Sequence, residues 1–408
     1  MSNIGAPCSA ARPWLGEAHG AGSCDKNLRV VQRGGSNVYF PLVASSIYIP
    51  PPDVNASPAI KAVLAKESIW SAIKSQRVNG RINDAIIAYI AQTEGVDASD
   101  LLLAAQSRLD TEATGTVRVE TDEQFRRQEH DVLKSGLHDP RAELFVDTMP
   151  PENYGWLGDF VSTIGLVRKL RETRALASFS RLNPVATAGD DNAQALSQAR
   201  LRWRPAIEVR GEGIFLELKA DRIAQWSSGM TTNIHDRIGA LLEDHGQRRQ
   251  QRGLEPRPID ARFIMIHTLA HLLIKELTFT CGYGSASLRE RLYCSMDEPD
   301  RPMNGILIYT ASGDSEGTLG GLVRQGSPGT LEKIVMAALE RSKWCSNDPV
   351  CMESPSRGAQ SSNLAACHGC VLLPETSCEE GNRLLDRALL VGTIESPTLG
   401  FFGDAIDI

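Results

Sequence analysis

Five of the nine cysteines in this 408-residue chain fall between positions 345 and 378, and no other feature constrains the fold as much. Cys345, Cys351, Cys367, Cys370 and Cys378 form a spaced set whose tightest element is Cys367-x-x-Cys370. A CxxC places two thiolates on one turn, both within reach of a single tetrahedral ion; a second pair must arrive from elsewhere to close the shell. Cys351, Cys367, Cys370 and Cys378 make a complete four-sulfur set, with Cys345 as an alternative fourth ligand. Four thiolates leave no open position, so the expected metal is one structural zinc rather than a catalytic one. His368, inside the CxxC, reads as a neighbour of the ion and not a ligand.

This reading requires reduced thiols. Met1–Gly22 shows neither the basic region nor the apolar stretch of a secretory signal, so a cytoplasmic setting is expected, where clustered cysteines are metal ligands before they are disulfides. No stretch reaches 18 consecutive apolar residues. The densest, Phe263 to Leu277, is broken by two histidines and a lysine, and no membrane span is expected. Lys and Arg total 43 against 50 Asp and Glu, a net charge of −7, which excludes a uniformly basic nucleic-acid coat but leaves room for a local basic stripe.

The punctuation of the chain suggests a multidomain, mixed α/β (α+β) fold. Residues 1–56 are rich in Gly and Pro, with short strand-like runs from Leu28, Val38 and Ser46, and close at Pro50-Pro51-Pro52. Helical patterning begins at Ser57-Pro58 and marks 57–150 as mainly helical. Residues 151–260 read as mixed α/β, with strands in Phe160–Leu166 and Ile207–Leu218 and helix in Asp221–Leu242. The region 261–408 holds a buried helix (263–277), a strand (Gly305–Thr310), a glycine-rich loop, a helix (331–344) and the cysteines.

Three further constellations carry chemistry. His267-Thr268-Leu269-Ala270-His271 sets two imidazoles four residues apart on one helical face, but Thr268 stands where a metalloprotease places its glutamate base. Among so many apolar neighbours the pair reads as core or interface histidines rather than a second metal site. The loop Asp314–Gly321 has three glycines and two carboxylates but no P-loop lysine, so its glycines read as turn-formers and no ATPase motor is expected. Two basic stretches, Arg168-Lys169-x-Arg171-x-x-Arg174 and Arg248-Arg249-x-x-Arg252, could hold phosphates through bidentate guanidinium bonds, the first as a basic helix face; a solvated surface is the bland alternative. Trp203, between Arg202 and Arg204, could stack a base, although a structural role is the more ordinary reading.

Cys367-x-x-Cys370, Cys378 and Asn382-Arg383-Leu384-Leu385-Asp386-Arg387, with Gly305–Thr310 leading into Asp314–Val323, resemble the C-terminal zinc-binding domain of MrfA-type DNA helicases. The chain is similar over nearly its whole length to the DrmB family of the DISARM anti-phage system. That likeness is carried by Pro13-Trp14-Leu15-Gly16, Arg33–Pro41, Glu208–Phe215, His267–His271 and Trp344–Cys351. DrmB-like proteins are longer at the N-terminus, with cysteine pairs ahead of the Pro-Trp-Leu-Gly segment, so Cys8 and Cys24 are left without obvious partners and the chain reads as an N-terminally shortened relative. The resemblance implies a non-catalytic zinc-binding component that pairs with a helicase subunit to bind the DNA backbone. Competing readings are a zinc-dependent nuclease or hydrolase built on His267, His271 and Glu316, and a stand-alone DNA-binding zinc protein.

Overall fold

The computed structural model describes residues 3–15, 27–30, 39–49, 58–64, 66–78, 81–113, 121–138, 142–181, 193–199, 201–229, 231–251, 256–295, 298, 301–310, 321–354 and 362–406. The chain forms two compact units. One comprises Met1–Ile47, Glu172–Val209 and Gln250–Glu255; the other comprises Tyr48–Arg171, Arg210–Arg249 and Pro256–Ile408.

In the smaller unit, strands β1 (Asn3–Pro7) and β2 (Asn27–Arg29) pair antiparallel. Strand β3 (Phe40–Ile47) pairs antiparallel with residues 172–180, from Phe40 opposite Ser180 to Ile47 opposite Glu172. The Trp14 and Tyr39 rings both pack on Phe179, with centroids 5.1 and 5.0 Å away. The indole N–H of Trp14 donates to the Ala195 carbonyl at 3.0 Å, so this aromatic trio is a packing unit. Trp203 is different: it is 62% exposed.

The larger unit begins with helices α1 (Pro58–Leu64) and α2 (Glu67–Ser75), a two-residue ribbon of β4 (Arg77–Val78) and β5 (Arg81–Ile82), and helices α3 (Asp84–Glu94) and α4 (Ala98–Ala113). These share a core of their own around Ile60, Trp70, Ile73, Ile87 and Leu101. Helix α5 (Asp122–Ser135) starts on a reciprocal capping box between Thr121 and Gln124. The chain then enters β6 (Phe145–Met149), β7 (Val161–Ser180) and β8 (Ala206–Leu218).

Helices α6 (Ala220–Gly229), α7 (Thr231–Gln251) and α8 (Ala261–Cys281) follow, and then strands β9 (Leu288–Tyr293) and β10 (Gly305–Thr310). Within this unit the sheet order is β6-β7-β8-β10-β9, and the registered pairs are antiparallel. Gly211 is required where β8 passes β10, because a β-carbon there would lie 2.2 Å from the Thr310 carbonyl oxygen. Short helices α9 (Gly321–Gln325), α11 (Val350–Glu353), α12 (Ala388–Val391) and α13 (Gly403–Ile406), with the longer α10 (Leu331–Ser342), complete the fold.

Helix α8 organises the larger core. It is long and apolar enough to cross a membrane on composition, yet it is buried on nearly every side, as a helix apolar all round must be within a folded unit. Asp260 caps it by accepting from Phe263 N at 2.8 Å, and Gly282 ends it in the left-handed region. The surrounding core also takes in Ile214, Ile223, Ile238 and Leu241, so residue 260 marks no break in it.

One expectation changes here. The basic stretch 168–174 lies in a strand, not on a helix. Because successive strand residues point to opposite faces, Arg174 shares one side with Leu170 and Glu172 and Lys169 and Arg171 take the other, while Arg168 sits in the irregularity opposite Phe145 and Val146. Helix α5 buries charged side chains, Arg127, Glu129 and His130, beside Leu133. Glu129 receives a bidentate bond from Arg291 at 2.6 and 2.7 Å, and His130 Nε2 lies 2.8 Å from Glu217 Oε2. Charge partnership, which polarity patterns do not show, permits that burial.

Candidate metal centres

Four sulfurs converge where the end of α10 meets the CxxC turn. Cys345 Sγ lies 3.5 Å from Cys367 Sγ, Cys351 Sγ lies 3.7 Å from Cys370 Sγ, and Cys367 and Cys370 sulfurs are 3.6 Å apart. A zinc–sulfur bond of about 2.3 Å sets the edge of a regular tetrahedron at about 3.8 Å. The residues therefore fit the ion within a few tenths of an ångström. The local chain explains why: Asp348 accepts from Cys345 N at 2.8 Å and from Met352 N at 3.1 Å, bending 345–352 so that both cysteines face inward. The buried guanidinium of Arg387 in turn holds Asp348.

The fourth ligand differs from the leading expectation. Cys345, the alternative, completes this cluster, and Cys378 does not join it. Spacing alone placed both within reach. The chain after Cys370 runs inward through Val371 and Leu373, and Cys378 emerges beside α8 instead.

Electrostatics suit thiolate binding unevenly before a metal arrives. Burial pushes the Cys351 thiol up to about 11 and raises Cys370 further. Burial would raise Cys367 too, but hydrogen bonds from Asn347 and the Cys370 backbone, with those of the neighbouring thiols, bring it down to about 6. Lys275 on α8 donates to the carbonyls of His368 and Gly369 at 3.3 and 3.2 Å. Its ammonium stands against a zinc–tetrathiolate that would carry a net charge of −2. Burial lowers the Lys275 pKa, and the thiolates of Cys370, Cys367 and Cys345 oppose that fall.

A second set of donors lies one turn back along α8. His267, His271, Glu290 and Cys378 place one ligand atom each within 4.8 Å of all the others. Glu290 comes from β9 and Cys378 from the end of the 3-10 turn Glu375–Ser377. His267 Nε2 is 3.2 Å from Cys378 Sγ and 3.1 Å from Glu290 Oε1, and His271 Nε2 is 3.6 Å from Glu290 Oε2. The carboxylate beside the histidines is thus Glu290; Glu316, the residue first paired with them, lies outside the described residues. Burial alone would raise the Glu290 pKa, but His267 and His271 hold it well below the ordinary carboxylate range. No motif marked Glu290, which follows His271 by a helix end and a turn and becomes its neighbour only when β9 packs on α8.

The segment Asn382–Arg387 binds the two centres into one module. The Asn382 side chain exchanges hydrogen bonds with both backbone groups of Leu373, at 2.7 and 3.0 Å, and its N–H donates to Cys378 Sγ at 3.2 Å. Asp386, fully buried, accepts a bidentate pair from Arg237 at 2.6 and 2.9 Å, and its N–H donates to Thr268 Oγ1 at 3.0 Å.

The expected phosphate contacts are placed less favourably. Arg168 pairs with Asp147, the Arg171 guanidinium stacks over Tyr48 at 4.2 Å, Arg174 pairs with the buried Glu172 at 2.7 Å, and Arg248 pairs with Asp244 at 2.9 Å. Lys169 is half-buried, and Arg252 lies outside the described residues, as do Cys24 and residues 314–320 of the glycine loop. Arg249 has a different setting. Its pKa is lowered by burial and then by Arg257 and Arg383, with Glu380 the opposing charge. Three guanidinium groups gathered around one carboxylate are a local cationic excess, and sequence reading missed the contribution of Arg383.

Comparison with known proteins places the four-sulfur centre. Residues 269–371 match the MrfA Zn-binding domain, a span that includes all four clustered sulfurs, and the protein's cofactor is a structural zinc. The chain is also 32% identical over 391 residues to the DISARM protein DrmB of Bacillus paralicheniformis, a match covering 93% of this chain and 67% of that protein.

Proposed function

The chain belongs to the DrmB family, and from that membership we propose that it is a non-catalytic, zinc-stabilised component of a cytoplasmic DISARM anti-phage system that pairs with a helicase subunit and holds DNA by its phosphates. The helicase supplies ATP hydrolysis; this chain supplies a rigid zinc module and cationic surface. The observation that carries the reading is the likeness to DrmB along 93% of the chain, together with a closed four-sulfur site inside the matched zinc domain. Closed tetrathiolate sites shape a fold and offer no coordination position to a substrate.

The phosphate contacts proposed are Arg168, Lys169, Arg171, Arg174, Arg248 and Arg249. Arg249 is the best supported, because Arg257 and Arg383 stand near enough to repel its charge and so share one positive potential with it. In the smaller unit, the exposed Arg202-Trp203-Arg204 triplet adds a base-stacking indole between two cations. Hydrolase chemistry on His267 and His271 is disfavoured by burial, since both imidazoles and Glu290 have essentially no solvent exposure through which a substrate could enter.

Co-expression with a tagged DISARM helicase subunit tests the proposal. The two chains should co-purify at a fixed ratio, and ATPase activity should reside in the helicase alone. ATP turnover by the isolated chain would overturn the accessory role, and failure to associate would favour the stand-alone reading.

A further inference from the structure

Helix α8, strand β9 and the Glu375–Ser377 turn bring four donors of three chemical kinds to one buried point, and none of them belongs to the four-sulfur centre. The separations suit a metal. In a tetrahedral zinc site two nitrogen or oxygen donors lie about 3.3 Å apart, and a nitrogen and a sulfur about 3.6 Å apart. The corresponding distances here are 3.1 Å from His267 Nε2 to Glu290 Oε1, 3.6 Å from His271 Nε2 to Glu290 Oε2, and 3.2 Å for the His–Cys edge.

Hydrogen bonding around the point is what a metal would leave. His271 Nδ1 lies 3.1 Å from the Val371 carbonyl, which fixes the proton on that nitrogen and turns the Nε2 lone pair inward. His271 Nε2 and Glu290 Oε2 are both buried without a hydrogen-bond partner, facing one another at 3.6 Å. His267 Nε2 meets Glu290 and Cys378 together, although one N–H can serve only one of them well. The Asn382 N–H aimed at Cys378 Sγ repeats, at the same 3.2 Å, the bond from Cys367 N to Cys370 Sγ in the four-sulfur centre. An amide donating to sulfur stabilises a thiolate.

Charge gives the same answer. A divalent ion held by one carboxylate, one thiolate and two neutral imidazoles is neutral, and so tolerates complete burial. A proton shared between Glu290 and His267 would also balance the charge, but it would leave the His271 Nε2 lone pair facing Glu290 Oε2.

We infer that His267 Nε2, His271 Nε2, Glu290 and Cys378 bind a second structural metal ion, zinc by the borderline softness of the donor set, which locks α8 to β9 and to the segment following the four-sulfur centre. With four protein ligands it is closed. It is a structural centre, distinct from the one formed by Cys345, Cys351, Cys367 and Cys370.

The test uses the full chain purified without chelator and without added metal. Elemental analysis should find two zinc ions per chain. X-ray absorption at the zinc edge should fit a shell of about five sulfurs to three nitrogen or oxygen ligands over the two ions, resolved by bond lengths of about 2.3 and 2.0–2.1 Å. Glu290→Gln should lower the content from two ions to one and leave an all-sulfur shell. Cys370→Ser should lose the other ion and leave a shell dominated by nitrogen and oxygen. If either variant fails to fold, the wild-type content and shell still decide. One zinc per chain with a purely sulfur shell overturns the inference, as does a Glu290→Gln protein that folds and keeps both ions.

Discussion

Asp386 is the single residue whose loss should do most to loosen the zinc module without touching a metal ligand. Its carboxylate is fully buried, takes both branches of the Arg237 guanidinium, and accepts from Ala365 N at 3.3 Å and Ala388 N at 3.1 Å. It therefore ties both ends of the segment carrying Cys367, Cys370 and Cys378 to α7. Asp386→Asn keeps the shape but removes the charge and one acceptor oxygen. Breaking a buried ion pair costs about 3–5 kcal/mol when the surviving charge stays dry. The Arg237 side chain is 18% exposed and also donates to the Met352 carbonyl at 3.2 Å, so the expected cost is roughly 2–3 kcal/mol. At about 2–4 °C per kcal/mol for a domain of 150–250 residues, the melting midpoint should fall by roughly 4–12 °C. Thermal denaturation monitored by circular dichroism measures this. Arg237→Met in the Asp386→Asn background should cost much less than Arg237→Met alone, giving a coupling energy of about 1–3 kcal/mol. An unchanged midpoint in Asp386→Asn, or strictly additive effects in the cycle, would refute the claim that this pair anchors the module.

Three further outcomes follow from the same geometry. Cys370→Ser should release the ion of the four-sulfur centre and open the segments that carry its cysteines to protease, because binding energy of order 10–16 kcal/mol at such sites is also folding energy; elemental analysis and limited proteolysis of the variant check this. Asp147, hydrogen-bonded to Arg168 and His138, has a lowered pKa even though its partial burial acts the other way. A depressed folded-state pKa contributes stability that is present above the unfolded value and lost as pH falls through the folded one. The gap between wild type and Asp147→Asn in urea should therefore be open at neutral pH and narrow progressively as pH falls below the ordinary carboxylate range, and a gap that stays constant into acid contradicts it. In the complex with a helicase subunit, Trp203→Ala should weaken single-strand binding by about 1–3 kcal/mol if the exposed indole stacks a base, and filter binding would show no change if it does not.

How far the sequence could be read follows from the range of each signal. Helix α8 was legible because its apolar run is longer than an ordinary strand, and β10 because six consecutive core residues end at turn signals. The CxxC was legible because its geometry is local. The fourth sulfur was not, since choosing between Cys345 and Cys378 depends on Asp348 bending one segment and on Val371 and Leu373 diving into the core. Arg168 to Arg174 looked helical in charge spacing, but antiparallel pairing with β6 and β3 made them strand residues and divided them between two faces. Glu290 was invisible because a carboxylate in Leu288–Tyr293 acquires meaning only once β9 lies across the two histidines.

The central claim, that this chain gives a helicase complex a phosphate-binding surface, is tested most directly by titrating labelled duplex DNA against the helicase subunit with and without this chain across a series of salt concentrations. Each phosphate neutralised contributes about −0.9 to the slope of log affinity against log salt. Adding the chain should tighten binding and steepen the slope. The Arg171→Glu/Arg249→Glu variant, with zinc content unchanged, should give back about two units of that slope without altering sequence preference. Identical affinity and slope for helicase alone, wild-type complex and variant complex would contradict the account.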